Sequence, residues 1–187
     1  MSLRFIRKHA SFISLLLIIG IFTLIFLLVG PKGLIDFIGV RNSYLLVFLV
    51  GAFGGVSSLT ASSFVLTVVT LASGGANPLI LGITGGFGIT IGDTLFYFLG
   101  LKGRETLTGG VRKVTNRFSA WIQKQPGWLI PFVVFFYASF APLPNDVLTV
   151  SLGLCKCTSR KILIPLLLGN ILFTTMIAWI SATAFLA

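Results

Sequence analysis

The hydrophobic positions of this chain fall into long apolar runs separated by short basic segments. The run at 12–29 holds eighteen residues without a charge, and the runs at 78–101 and 162–186 are longer. About twenty residues of apolar helix cross the hydrocarbon core of a bilayer. These three runs predict transmembrane helices. No small-residue cleavage site follows the first of them, which favours an anchor over a signal peptide.

Two further apolar runs, 43–73 and 128–155, are interrupted near their middles. Three glycines and a cluster of serines and threonines break the first run. Pro142 and Pro144, which lack backbone donors, break the second. Each arm holds only about a dozen residues, too few to cross, and a helix break at membrane depth must be covered by protein or line a wet cavity. Both runs therefore predict re-entrant hairpins.

The segment 102–127 has a different character, with six basic residues around a few apolar ones. Val114, Phe118 and Trp121 recur in it at helical spacing. This pattern predicts a basic amphipathic helix that lies on an anionic membrane surface.

The basic residues also predict the topology. If both hairpins return to the side from which they enter, 12 of the 14 basic residues lie on one face, and only Lys32 and Arg41 lie opposite. Positive residues collect on the cytoplasmic side of a membrane. The N-terminus and the segment 102–127 are therefore expected in the cytoplasm.

Composition excludes a soluble globular protein, because a mean hydropathy of +1.04 with 10% charged residues leaves too little polar surface to cover the chain. A formal charge of +10 would suggest nucleic acid in a soluble protein. Here the basic residues stand between apolar runs, where anionic lipids attract them, so no nucleic-acid partner is expected. Cys155, Cys157 and His9 cannot supply a zinc site, and no metal or cofactor is expected.

The tetrapeptide Val-Leu-Thr-Val occurs twice, at 65–68 and at 147–150. Each copy follows a helix break and precedes a full-length apolar run. With the topology above, the two hairpins enter from opposite sides and form an inverted repeat, from which transporters build a site near the midplane. The predicted fold is an all-α integral membrane protein, one unit over 1–187. It has three transmembrane helices, two oppositely oriented re-entrant helical hairpins and a basic amphipathic surface helix.

Asp93 and Asp146 are the acidic residues expected at membrane depth. A charged side chain at a helix centre costs roughly 2.5 to 3.5 kcal/mol on insertion scales, so such residues usually face a cavity and often bind protons or ions. Each also has a structural interpretation. Asp93 can be a packing carboxylate bonded to Ser, Thr or Tyr97, and Asp146 can cap the free N–H groups of the returning arm. The sequence leaves both interpretations open.

Small polar residues and prolines at the two breaks complete the predicted substrate or proton pathway. Besides the two aspartates, it consists of Ser57, Ser58, Thr60, Ser62, Ser63, Pro142, Pro144 and Asn145. The glycine patterns Gly82-x-x-x-Gly86 and Gly88-x-x-x-Gly92 have another role, since small residues at this spacing predict close helix packing.

Several short motifs resemble one known family, and the likeness covers roughly residues 51–180. They are Gly92-Asp93, Tyr97, Gly100, the break at 140–146 and Gly153. They are similar to the DedA family, also called the VTT or SNARE-associated Golgi protein family, and most closely to its small YqaA-like branch. The resemblance implies a transporter or scramblase of lipids, polyprenyl-phosphate carriers included, with proton coupling proposed for the bacterial members.

The chain departs from the better-studied bacterial members in both hairpins. Serines and threonines stand in the first hairpin where those proteins have acidic residues, and Ser139 and Asn145 stand where they have arginines. Proton coupling and phosphate binding by intramembrane arginine are therefore open for this chain.

The expected function is that of a membrane transporter or scramblase, which moves a lipid or amphiphile between leaflets through a groove between the hairpins. The alternatives are a proton-coupled small-solute or ion pathway and a non-catalytic membrane factor that organises other proteins. An enzyme is not expected, because isolated aspartates and one terminal histidine supply neither a metal cluster nor a nucleophile system. The expected partners are membrane lipids, including anionic or phosphate-bearing ones, and a homo-oligomer is left open. The simplest setting is the plasma membrane of a prokaryote.

Overall fold

A computed structural model describes residues 42–54, 61–141 and 145–184, together with seven helical residues scattered over 13–28. These parts of the chain contain helices and no strand, which confirms the all-α class for them. The helices are α1 (Ser43–Gly54), α2 (Ala61–Ser73), α3 (Pro78–Gly103), a 3-10 turn (Arg104–Thr106), α4 (Gly109–Gln123), α5 (Leu129–Phe140), α6 (Asn145–Leu154) and α7 (Ser159–Ala184).

Among the described residues, two helices are long and apolar enough to cross a membrane: Pro78–Thr106, which joins α3 to the 3-10 turn, and α7. α3 and α7 have 26 residues each, which makes about 39 Å of helix at 1.5 Å per residue. Asn77 caps the start of α3, since its side-chain oxygen accepts from two backbone N–H groups of the first turn. The run 78–101, and the run 162–186 as far as residue 184, are thus helical as predicted, whereas the predicted span 12–29 lies mostly outside the described residues.

The four other apolar helices are too short to cross. α1 and α2 have 12 and 13 residues, and α5 and α6 have 12 and 10, whereas about twenty are needed. Each pair stands on either side of one predicted break. These are the arm lengths predicted for the runs 43–73 and 128–155.

α3 and α7 pack against each other at the centre. In each half of the structure, the first short helix packs on the long helix of its own half, and the second packs on the long helix of the other half. α1 packs on α3, while its neighbour α2 also packs on α7. α5 packs on α7, while its neighbour α6 packs on α3. The pattern of contacts is therefore unchanged when α1, α2 and α3 trade places with α5, α6 and α7.

Two glycines make matching contacts in these two halves. Gly88 lies ten residues after the start of α3, and Gly169 lies ten residues after the start of α7. A Cβ on Gly88 would lie 2.3 Å from the carbonyl oxygen of Phe48 in α1. A Cβ on Gly169 would lie 2.9 Å from the carbonyl oxygen of Phe135 in α5. Gly88 thus lets the backbone of α1 contact α3, and Gly169 lets the backbone of α5 contact α7 at the corresponding position.

Other glycines of α3 face α7. A Cβ on Gly86 would lie 2.6 Å from the Cα of Ile171, and a Cβ on Gly82 would overlap Thr175. The prediction that this stripe serves close helix packing is confirmed at these positions and at Gly88.

The repeated tetrapeptide places its threonines alike. Thr67 and Thr149 are both buried, and each hydroxyl donates to the carbonyl oxygen four residues earlier. The acceptors are Ser63 at 2.8 Å and Asn145 at 2.9 Å. The threonines of the two copies therefore agree in burial and in hydrogen bonding, in addition to the identical sequence around them.

Candidate functional site

A buried polar cluster, formed by Asp93, Asn145 and Asn170, joins α3, α6 and α7. The Oδ2 atom of Asp93 accepts from Asn145 Nδ2 at 3.1 Å and from Asn170 Nδ2 at 3.0 Å. Asn145 Nδ2 also donates to Asn170 Oδ1 at 2.9 Å. Asp93 and Asn170 are each 1% exposed, and Asn145 is half-buried. The three side chains form a closed triangle of hydrogen bonds.

Glycines bring the three helices close enough for these short side chains to meet. Gly86 lies seven residues before Asp93, about two turns away on the same face of α3, and it puts that face against Ile171 of α7. Gly100 lies seven residues after Asp93, and a Cβ there would lie 2.2 Å from the carbonyl oxygen of Val150 in α6. Asp93 therefore stands between two points at which the helix backbones touch.

Thr90 extends the cluster. Its hydroxyl accepts from Asn170 Nδ2 at 3.1 Å and donates to the carbonyl oxygen of Gly86 at 2.7 Å. The Nδ2 groups of Asn145 and Asn170 thus each have two acceptors, one for each hydrogen. Within the described residues no buried side-chain nitrogen or oxygen lacks a partner. The cluster is satisfied in this arrangement.

Chemically, the cluster offers hydrogen-bond donors and acceptors for a polar group. Both donors to Asp93 in this triangle are neutral amides, so no cation takes part in these bonds. In the part of the chain that the structure describes, no group of three His, Cys, Asp or Glu side chains could hold a metal ion.

Asp146 stands next to this cluster in sequence but is not bonded to it. Its side chain is half-buried in the first turn of α6, and its Oδ1 atom accepts from the backbone N–H of Val147 at 2.9 Å. This geometry agrees with the predicted role of Asp146 as a cap for the N–H groups of the returning arm. A part in the pathway stays a prediction.

The structure brings together Asp93 and Asn145 from the predicted pathway. Ser62 is exposed and Ser63 is half-buried at the start of α2, and no hydrogen bond between described residues joins either serine to the cluster. The remaining predicted residues lie outside the described residues, namely Ser57, Ser58, Thr60, Pro142 and Pro144.

Asn170 and Thr90 are absent from the residues predicted on sequence grounds. A signal for Asn170 exists: it is an amide inside the apolar run 162–186, and it follows Gly169 directly. A buried amide in such a run needs partners from another helix. Thr90 carries no such signal, because a threonine in an apolar helix can bond to its own backbone.

The interpretation of Asp93 as a packing carboxylate is right in kind, since it joins three helices. Among the described residues the donors to its carboxylate are two asparagines, and not Tyr97 or a serine or threonine. The Tyr97 hydroxyl instead donates to the carbonyl oxygen of Cys157 at 2.7 Å.

Two of the glycines that carry the resemblance to the DedA family, Gly100 and Gly153, meet at one helix crossing. Gly100 of α3 faces the backbone of Val150, and a Cβ on Gly153 of α6 would lie 2.2 Å from the carbonyl oxygen of Tyr97. α3 and α6 therefore cross with their backbones in contact. No family model, curated protein or solved structure matches the chain. Membership of the family stays a prediction from these motifs.

Proposed function

We propose that the chain is an integral membrane protein of the DedA type with three spans, 12–29, α3 and α7. In it, α1–α2 and α5–α6 are re-entrant hairpins. The outer face of α3 supports a lipid environment, because large apolar side chains stay exposed along it at helical spacing. They are Ile80, Ile83, Phe87, Ile91 and Phe98. Contact of such a stripe with hydrocarbon costs no free energy, whereas its contact with water is unfavourable.

The exchanged packing of the two halves supports an inverted repeat. Each short-helix pair leans on both long helices, and Gly88 and Gly169 hold equivalent contacts. In this proposal the pseudo-two-fold axis lies in the membrane plane, so one hairpin opens to each side. The N-terminus and α4 lie on the cytoplasmic side, in the plasma membrane of a prokaryote.

The function that this arrangement supports best is movement of a lipid or amphiphile between leaflets. One observation carries it: the carboxylate of Asp93 is buried in a span, and one of its two donors, Asn145, sits on a short helix directly after a break. A buried carboxylate in a span is costly and usually marks a polar path. A donor on the second hairpin allows that path to open without moving a span.

Opening would proceed through α6. When the first turn of α6 moves away, Asn145 leaves Asp93 and Asn170, and all three side chains lose a partner. A lipid headgroup can replace those bonds, because its hydroxyl groups can donate to Asp93 and Asn170 while its phosphate oxygens accept from Asn145. The loss is then offset while the headgroup passes. The closed triangle then forms again behind it.

An aromatic ladder on α5 supports a path for the lipid tails. Exposed rings follow one another at four-residue spacing, with centroid distances of 6.1, 4.4 and 5.8 Å between neighbours; they are Trp128, Phe132, Phe136 and Phe140. Beside the ladder, α5 and α7 form an open apolar groove of about 430 Å³, which also includes Pro165 and Leu168. The ladder ends at the break, so tails along it would place a headgroup near Asn145.

The test is lipid scrambling in proteoliposomes, read from fluorescent zwitterionic and anionic lipids. We expect movement by the wild-type chain and faster movement by Asn145→Ala, because this variant removes the bonds that hold the first turn of α6 against Asp93 and Asn170. Ser151→Ala is the matched control, since Ser151 lies on α6 and its hydroxyl donates within its own helix, to the carbonyl oxygen of Val147.

The outcomes separate the candidates. Equal scrambling by wild type and Asn145→Ala would exclude the cluster from the lipid path. A pH-driven ion or solute flux without lipid movement would favour the second candidate, a proton-coupled pathway, for which the buried Asp93 is the supporting observation. If the wild type moves neither lipid nor an ion or solute, the remaining candidate is the membrane factor that organises other proteins.

A further inference from the structure

α4 packs on the rest of the protein through one narrow face. Ser119 and Ile122 are 5% and 6% exposed and lie against the turn between α6 and α7. Most of the other side chains of α4 are exposed. A helix of this kind presents most of its surface to whatever lies outside the bundle.

An apolar ridge runs along the exposed side of α4. It consists of Val114, Phe118 and Trp121, which are 67%, 46% and 54% exposed. At about 100° per residue these three side chains fall within roughly 60° of the helix circumference. The rings of Phe118 and Trp121 are stacked, with centroids 5.8 Å apart. Such a ridge suits insertion at the boundary between headgroups and acyl chains.

A basic flank borders the ridge. Lys113, Arg117 and Lys124 fall within roughly 40° of one another on the helix circumference, on the side of the ridge away from Ile122. The sequence contains no acidic residue between Glu105 and Asp146, so no carboxylate of this region neutralises the flank. The surface that complements an apolar ridge with a positive flank is an anionic leaflet.

Two side chains tie α4 to the C-terminal end of α6. The guanidinium group of Arg104 donates to the carbonyl oxygen of Leu154 and, at 2.8 Å, to Oδ1 of Asn116 in α4. The hydroxyl of Ser119 donates to the carbonyl oxygen of Cys155 at 2.8 Å. α4 therefore cannot tilt without breaking bonds to the end of α6 or moving it.

α6 is a short rod held at both ends. Its first residue, Asn145, is bonded to Asp93 and Asn170, and its last turn is bonded to α4 through Arg104 and Ser119. Ten residues make about 15 Å of helix, so a displacement at one end is transmitted to the other.

We propose that α4 senses anionic lipid: docking of its ridge and flank on an anionic leaflet fixes the end of α6 and thereby controls opening at Asn145. This inference deepens the proposed function, on which it rests for its effect on lipid movement. A neutral leaflet holds α4 less tightly and leaves α6 in a different position. Lipid composition then regulates the polar cluster from the membrane surface.

The docking step is tested with the full chain in vesicles of phosphatidylcholine alone or with added phosphatidylglycerol. Trp121 is read by brominated-lipid quenching in a Trp128→Phe, Trp179→Phe background. Quenching should increase with phosphatidylglycerol. Each Lys or Arg near an anionic surface contributes about 1 kcal/mol, so replacing the three flank residues with glutamine should weaken docking on the order of a hundredfold. Arg112→Gln is the matched control, because Arg112 lies roughly 100° or more from the flank.

The coupling step is tested with the double variant Asn116→Ala, Ser119→Ala, which removes the bonds from α4 to Arg104 and to Cys155 and keeps the ridge and the flank. In this variant Trp121 should still dock. Hydrogen exchange in the first turn of α6, which depends on phosphatidylglycerol in the wild type, should become independent of it. The scrambling rate should lose its lipid dependence in parallel.

The results distinguish this inference from the proposed function. If neither the scrambling rate nor hydrogen exchange in the first turn of α6 changes with phosphatidylglycerol in the wild type, the sensor is overturned and the proposed lipid movement is left intact. If hydrogen exchange in the first turn of α6 changes with phosphatidylglycerol but no lipid moves, the sensor is supported and the lipid function is overturned. Equal Trp121 quenching in neutral and anionic vesicles would overturn the docking surface itself.

Discussion

Asn170 donates to Asp93 across 77 residues of sequence, with its Nδ2 atom 3.0 Å from Oδ2 and both side chains 1% exposed. This bond joins the two long helices, α3 and α7. Both residues are flanked by helix-packing glycines, so the bond forms where the two backbones can approach closely. Its strength and its partners determine what substitution of Asp93 does.

Asp93→Ala should destabilise the protein strongly. The change leaves the amide groups of Asn145 and Asn170 each without one acceptor, at about 1–3 kcal/mol for each unsatisfied buried group. Asp93→Asn keeps an acceptor oxygen in place, so it should cost less, about 1 kcal/mol. Thermal unfolding in detergent measures the difference. Equal losses for the two variants would show that the charge of Asp93, and not its acceptor, holds the cluster together.

Gly100→Ala and Gly153→Ala should each loosen the crossing of α3 and α6. The new Cβ would lie 2.2 Å from a backbone carbonyl oxygen in either case, which no side-chain movement can relieve. We expect a loss of about 1–3 kcal/mol or more in the free energy of unfolding. Gly110→Ala is the control, because a Cβ there meets nothing within 4 Å. Ala favours helix more than Gly does, so Gly110→Ala should cost no stability. If Gly100→Ala and Gly153→Ala also cost none, the backbones of α3 and α6 do not cross in contact.

Run length predicts much of this fold. Apolar runs of more than twenty residues became α3 and α7, and runs broken by glycine or proline became pairs of helices of 10 to 13 residues. α7 begins at Ser159, before the predicted start at 162, because Arg160 and Lys161 extend the helix past the apolar run. Basic residues are good helix formers, and hydropathy alone does not mark where a helix begins.

The partners in the polar cluster are harder to predict. Asp93 and Asn145 stand out in the sequence, as a carboxylate in an apolar run and an amide after a proline break. Which groups they bond is decided by the approach of α3 to α6 and α7, and that approach depends on backbone contacts at Gly86 and Gly100. Periodicity assigns residues to faces of a helix, but it does not say which faces meet.

The thiol of Cys157 should react slowly at neutral pH. Burial raises its pKa to about 11, and the neighbouring Cys155 thiol adds to the rise. The thiolate is the reactive form, so at about pH 8 its population is on the order of one in a thousand. Alkylation followed by mass spectrometry should accelerate about tenfold per pH unit up to about pH 11.

The positive charge of Lys161 opposes this rise, since it lowers the pKa of Cys157. Lys161→Gln should therefore slow alkylation at a fixed pH below 11, while Lys156→Gln serves as a control for loss of a nearby positive charge. Rapid alkylation of Cys157 in the wild type at neutral pH would mean that the turn between α6 and α7 opens far more readily than its contacts suggest.

The aromatic ladder of α5 should affect lipid movement without affecting folding. Phe132→Leu together with Phe136→Leu removes the closest ring pair, 4.4 Å between centroids, but keeps an apolar surface on exposed positions. Aromatic contacts contribute about 0.5–1.5 kcal/mol beyond their area, so lipid scrambling should slow by up to about tenfold. Phe87→Leu is the matched control, since Phe87 is similarly exposed but lies on α3. If both variants scramble lipid at the wild-type rate, the tails do not follow α5, and the path must run along another face of the hairpins.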